Sequence, residues 1–86
     1  MTFESRREAE GSTVYAVLTG ASDIGWHLQL GVMSENGRIP VANGDFGDLE
    51  QLDDWIGEVG SAFCHGTREA LHDVCARAME AVRVDA

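Results

Sequence analysis

Trp26-His27-Leu28-Gln29-Leu30-Gly31-Val32-Met33 alternates along its whole length: Trp26, Leu28, Leu30 and Val32 fall on one face, and His27, Gln29, Gly31 and Met33 on the other. Period-two alternation is the mark of a strand with one face in a core and one in solvent. Immediately after it, Ser34-Glu35-Asn36-Gly37 carries an Asn-Gly pair, the strongest short hairpin signal. Arg38 to Ala42 is then the returning strand, placed at an edge because Pro40 has no N–H to give a central ladder. Upstream, Gly20 to Gly25 supplies a turn, and Thr13 to Thr19 (Thr-Val-Tyr-Ala-Val-Leu-Thr) is rich in strand formers. Residues 1–12 are polar and charged and close on Gly11-Ser12; they are expected to be a flexible arm or a short edge strand.

Beyond Asn43-Gly44 the period changes. Asp48 is placed to cap a helix, with Gln51 three residues on as its reciprocal partner. Leu49, Leu52, Trp55, Ile56 and Val59 then fall within an arc of about 120° at helical spacing, with Glu50, Asp53, Asp54 and Glu58 opposite. Gly60 is expected to end this helix in the C′ position. A second helix covers at least Arg68 to Val82, striped by Leu71, Val74, Cys75, Ala78 and Val82; its start is open, since Ser61 and Thr67 are both capping residues and Gly66 interrupts the pattern. The expected fold is α+β: an antiparallel meander of three or four strands with two antiparallel helices on one sheet face, residues 13–86 forming one domain.

With 86 residues the chain is the size of one domain, and a hydrophobic content of 44% is that of a folded one. Fifteen acids oppose six arginines, and there is no lysine. A net charge of −9 argues against direct binding of nucleic acid, whose phosphates are held largely by Lys and Arg, and suits a basic protein surface instead. The acids cluster: Asp45, Asp48, Glu50, Asp53, Asp54 and Glu58 lie within residues 44–60 with no base among them. Met1 to Glu8 lacks a signal-peptide stretch, no apolar run approaches the roughly 18 residues of a membrane span, and two cysteines make no disulfide framework. These features predict a cytoplasmic protein with reduced thiols and no membrane partner.

Thr19-Gly20-Ala21-Ser22-Asp23-Ile24-Gly25 looks like the nucleotide-binding turn of short-chain dehydrogenases, but one glycine position is missing and a strand follows where a helix must cradle the phosphates. Cys64, His65, His72 and Cys75 are zinc-ligand types, yet on one helix Cys64 and Cys75 stand about 16 Å apart, too far for one tetrahedral ion. No Ser-His-carboxylate motif is recognisable, and Asp53-Asp54 sits on the solvent arc. The sequence therefore points to no metal, no cofactor and no catalysis, and to binding through two surfaces. One is the acidic arc, with Asp45, Asp48, Glu50, Asp53, Asp54 and Glu58. The other is the uncovered sheet face, where Tyr15, His27, Gln29, Met33 and Arg38 are expected to project.

Asn36-Gly37, Asp45-Phe46 and Leu49-Glu50-Gln51-Leu52-Asp53-Asp54-Trp55-Ile56 together resemble small phage-encoded anti-CRISPR proteins that inhibit the type I-F surveillance complex. Those proteins show a hairpin Asn-Gly, an Asp-Phe entry, Glu-Gln-Leu-x-x-Trp followed by Phe, a glycine-bearing break and a second helix. The likeness spans about residues 36–80. It implies a non-enzymatic inhibitor acting in the bacterial host cytoplasm. Its open sheet face would dock on the repeated backbone subunit of Cascade and block target DNA recognition. The family docks with tyrosines and a glutamate; Tyr15 is the one tyrosine here, and glutamine, glycine or methionine stand where the glutamate falls. A different reading keeps the acidic binding module and gives it a protein partner unrelated to CRISPR.

Overall fold

In the computed structural model, which describes residues 1–85, four strands precede two helices. The strands are β1 (Thr2–Ala9), β2 (Ser12–Ala21), β3 (Gly25–Ser34) and β4 (Gly37–Phe46); the helices are α1 (Leu49–Val59) and α2 (His65–Asp85), joined through a 3-10 turn at Gly60–Ala62. Ala86, the last residue of the expected domain, lies outside the described residues. The sheet is an antiparallel meander in the order β1-β2-β3-β4, with both helices on one face, the expected α+β architecture.

Register follows from the alternation in β3. Leu30 stands opposite Ala16, Leu28 opposite Leu18, and Trp26 opposite Gly20, so the apolar sides of the two central strands coincide. Onto this surface fold Leu49, Leu52 and Ile56 from α1 and Ala70, Leu71, Val74, Cys75 and Ala78 from α2. Leu18, Leu28, Leu52, Ile56 and Leu71 are fully buried, each contributing about 1.5–3 kcal/mol by leaving water. Trp55 is half-buried between Phe46 and Phe63, with ring centroids 5.5 and 5.9 Å away.

Residues 2–9 are an edge strand paired along their whole length, from Thr2 opposite Thr19 to Ala9 opposite Ser12. The helix-facing side of β1 carries Phe3, Ser5, Arg7 and Ala9, which hides its alternation from a hydrophobicity reading. Its polar members pair with each other and with α2: Arg7 donates to the Ser5 hydroxyl at 2.9 Å and lies 3.9 Å from Asp73, and Arg77 of α2 donates to the Glu4 backbone carbonyl at 2.8 Å. Helix α2 begins at His65, with Gly66 in its first turn. A Cβ there would stand 3.0 Å from the Glu8 carbonyl and 3.1 Å from the Ala9 methyl, so glycine lets α2 start directly against the end of β1.

Three further expectations are corrected. Strand β4 runs four residues past Ala42, to Phe46, because a bulge at Leu30/Gly31 re-registers it beyond Pro40. Asp48 caps α1, its Oδ1 accepting from the Gln51 N–H at 2.9 Å, but Gln51 reaches back to the N–H of Gly47 at 3.1 Å and not to that of Asp48. Gly60 has φ −56°, a right-handed helical value, so the chain turns on into the 3-10 segment with no left-handed C′ residue.

Candidate functional site: the open sheet face

Side chains opposite the helices come from all four strands. Thr2, Glu4, Arg6 and Glu8 of β1 face away from the core, beside Thr13, Tyr15, Val17 and Thr19 of β2. Next come His27, Gln29, Gly31 and Met33 of β3, paired with Asp45, Asn43, Pro40 and Arg38 of β4.

Tyr15 is at the centre, and its geometry corrects one expectation. It is on the open face as expected but does not project: its ring lies flat and the residue is 0% exposed. Two neighbours make this possible. Gly31 lies alongside, where a Cβ would come within 2.6 Å of the phenol oxygen, and the same Cβ would stand 2.3 Å from the Ile39 carbonyl at the bulge. Arg38 covers the ring with its guanidinium carbon 5.1 Å from the centroid, a cation–π arrangement. The phenol donates to Gln29 Oε1 at 3.0 Å.

A charged row crosses this centre. Arg6 donates through Nε to Glu4 Oε1 at 3.1 Å, and Arg38 pairs with the same oxygen from the other side. Burial tends to raise the Glu4 carboxyl, but hydrogen bonds and charge from Arg6 and Arg38 together outweigh it and hold the group below its ordinary value. At the far end of β3, His27 Nδ1 lies 2.8 Å from Asp45 Oδ1. The face is thus a polar mosaic around a covered tyrosine, in which Met33 is half-buried and Arg38 and His27 are exposed.

The remaining proposed binding residues sit elsewhere. Glu50, Asp53 and Asp54 are exposed on α1, as expected. Asp53 is on the flank that meets α2: its charge, after burial, is the second cause raising the Cys75 thiol to about 11. Asp45 does not belong with them, since it stands on β4 beside His27, and Asp48 is occupied as the α1 cap. Glu4, Arg6 and Asn43 also belong to the open face, and sequence does not mark them as site residues because β1 and the end of β4 carry no hydrophobic alternation. The Thr2-Glu4-Arg6-Glu8 alternation was the available signal.

Cys64 is exposed just before α2, and Cys75 is buried midway along it. Among the described residues, no cluster of three or more His, Cys, Asp or Glu is placed to hold a metal ion, and no helix is long and apolar enough to cross a membrane. Comparison with protein-family models, with curated proteins and with solved structures finds no match.

Proposed function

We propose that this chain is a non-enzymatic anti-CRISPR inhibitor that docks on a type I Cascade surveillance complex and blocks recognition of target DNA. One observation carries the reading: the residues of the resemblance do the structural work its fold requires. Phe46 closes the sheet against Trp55, Leu52 is buried in the core, and Gln51 ties the start of α1 to Gly47. Both helices cover one sheet face and leave the other free, which is the face the resemblance assigns to docking.

Two properties of the chain agree with a partner whose surface normally holds nucleic acid. Its net charge of −9 is drawn to basic grooves, and Glu50, Asp53, Asp54 and Glu58 of α1 have no ion-pair partner among the described residues. The open face supplies mixed contacts, with Met33 beside Arg38, Gln29 and the His27–Asp45 pair. The unpaired acids of α1 also favour a second reading, an acidic regulatory module with a protein partner unrelated to CRISPR.

Pull-down from lysate containing assembled type I Cascade, followed by a target-DNA shift assay, separates the two. The expected result is recovery of the backbone subunit at low salt and loss of the DNA shift. Recovery of no Cascade subunit at low salt sinks the first reading.

A further inference from the structure

The chain has two asparagines, Asn36 and Asn43, and each is followed by glycine. Asparagine is a chemically labile side chain, most of all before glycine, whose nitrogen reaches the side-chain amide with no Cβ in the way. The fold sets the two pairs in opposite surroundings. Asn36 is exposed in the two-residue turn between β3 and β4, and Gly37 stands opposite Ser34 on the last rung of the ladder. Gly37 has φ +115°, and a Cβ there would meet nothing within 4 Å. The Ser34 hydroxyl accepts from the Asn36 N–H at 3.2 Å and donates to the Gly37 carbonyl at 2.9 Å. Both bonds are exposed and lie at a hairpin end, where local opening is easiest. Asn43 lies inside β4: it stands opposite Gln29, and Gly44 stands opposite Leu28, a core residue. A Cβ at Gly44 would come within 3.3 Å of the Phe46 ring, so there is little room beside that peptide.

We infer that Asn36 is a deamidation site of the folded protein and that the sheet protects Asn43. The Gly37 nitrogen attacks Asn36 Cγ and forms a C–N bond. The side-chain amide nitrogen leaves as ammonia, taking the proton that the Gly37 N–H gives up. Water then opens the five-membered imide. Cleavage at the side-chain carbonyl gives aspartate, and cleavage at the main-chain carbonyl gives isoaspartate, in which the chain runs through the former side chain. Water is the only co-reactant, and nothing is oxidised or reduced. Ring closure requires the peptide after asparagine to swing out of the extended conformation, with its ψ of about +135° in an antiparallel strand. At Asn36 only the turn must open for this; at Asn43 the middle of the β3–β4 ladder must open, with the rung at Leu28. Either product adds a negative charge to a chain of net charge −9. Isoaspartate also lengthens the turn by one backbone carbon, for which the open space around Gly37 leaves room. The next rung inward is Met33–Arg38, so the change falls at the margin of the open face, and it holds whatever that face binds.

The test ages the full chain in warm, mildly alkaline buffer. Trypsin cuts after Arg38, which puts the two asparagines on different peptides, and mass spectrometry of timed samples reads amide loss at each. In the native protein Asn36 is expected to convert to aspartate and isoaspartate, the second confirmed by labelling with isoaspartyl methyltransferase. Asn43 should convert at least about tenfold more slowly, because the middle of a ladder opens less often than its end. In guanidinium chloride the two rates should come together, a comparison that needs no variant. Asn36→Gln should remove the acidic band that ageing produces on isoelectric focusing, and Asn43→Gln should retain it. The inference is overturned by equal native rates, by faster loss at Asn43, by a rate ratio that guanidinium leaves unchanged, or by an acidic band that persists in Asn36→Gln.

Discussion

Arg38 lies over the ring of Tyr15, its guanidinium carbon 5.1 Å from the ring centroid, so the one tyrosine of the chain is buried on the sheet face that has no helices. The two residues should respond very differently to truncation. Tyr15→Ala removes a fully buried ring and its bond to Gln29, and should cost about 3–5 kcal/mol, a large share of a small domain's stability. Arg38→Ala removes an exposed cation–π contact and an exposed ion pair, and should cost about 1 kcal/mol. Urea denaturation of both variants checks this; equal midpoints would mean that the ring is not packed as described.

Glu4 makes stability depend on acid. Burial raises its carboxyl, but Arg6 and Arg38 together outweigh burial and hold it below its usual 4.5. A carboxylate with a lowered folded pKa stabilises the fold fully above its unfolded pKa, and that contribution disappears as pH falls through the folded one. The fold should therefore lose stability on going from about pH 6 to about pH 3, and Glu4→Gln should lose less over the same interval. Parallel denaturation profiles for the two proteins at both pH values would show that Arg6 and Arg38 do not favour the ionised form.

Gly60 and Gly66 reverse the roles that sequence position suggests. At Gly60 the φ of −56° suits any residue, and a Cβ would meet nothing closer than Arg68 Cδ at 3.6 Å. Gly60→Ala should stabilise by about 0.4–1 kcal/mol through the unfolded chain. Gly66→Ala should destabilise, because its Cβ would press on the Glu8 carbonyl at 3.0 Å. Thermal melts of the pair decide it: a large loss at Gly60 would restore the left-handed end expected from sequence.

These positions also show where sequence was legible. The alternation of β3, the Asn-Gly hairpin and the α1 stripe each repeat one physical requirement several times, so fold class and helix phase could be read from them. Strand β1 could not be, because its inward positions Ser5 and Arg7 are polar: Arg7 donates to the Ser5 hydroxyl and pairs with Asp73 of α2, a partner far away in sequence. The burial of Tyr15 was hidden for the same reason. It depends on Gly31 alongside and Arg38 above, and a face assignment alone does not reveal either.

The two thiols should be separable by reactivity. Cys64 is exposed at the start of α2, where Thr67, first through its hydroxyl and then through its N–H, lowers the thiol below its ordinary value. Burial, then the charge of Asp53, pushes Cys75 up to about 11. At neutral pH a disulfide reagent should therefore modify one thiol in the native protein and the second only after denaturant is added. Rapid labelling of both thiols without denaturant would show that the α1–α2 seam opens readily.

Binding kinetics should tell the open face from the acidic helix. Tyr15 is unsuitable as the probe, since its loss threatens the fold, so the half-buried Met33 and Gln29 take its place. If the open face holds the partner, Met33→Ala with Gln29→Ala should speed dissociation and leave the salt dependence nearly intact. The acids of α1 lack an apolar anchor of their own, so their part is to steer. Reversing Glu50, Asp53 and Asp54 to lysine should slow association several-fold at low salt and flatten its dependence on salt, with the off-rate little changed. Surface plasmon resonance against the captured partner at two salt concentrations reads both rates. An unchanged off-rate for the sheet-face double variant, beside near-complete loss of binding for the helix triple variant, would move the interface to α1.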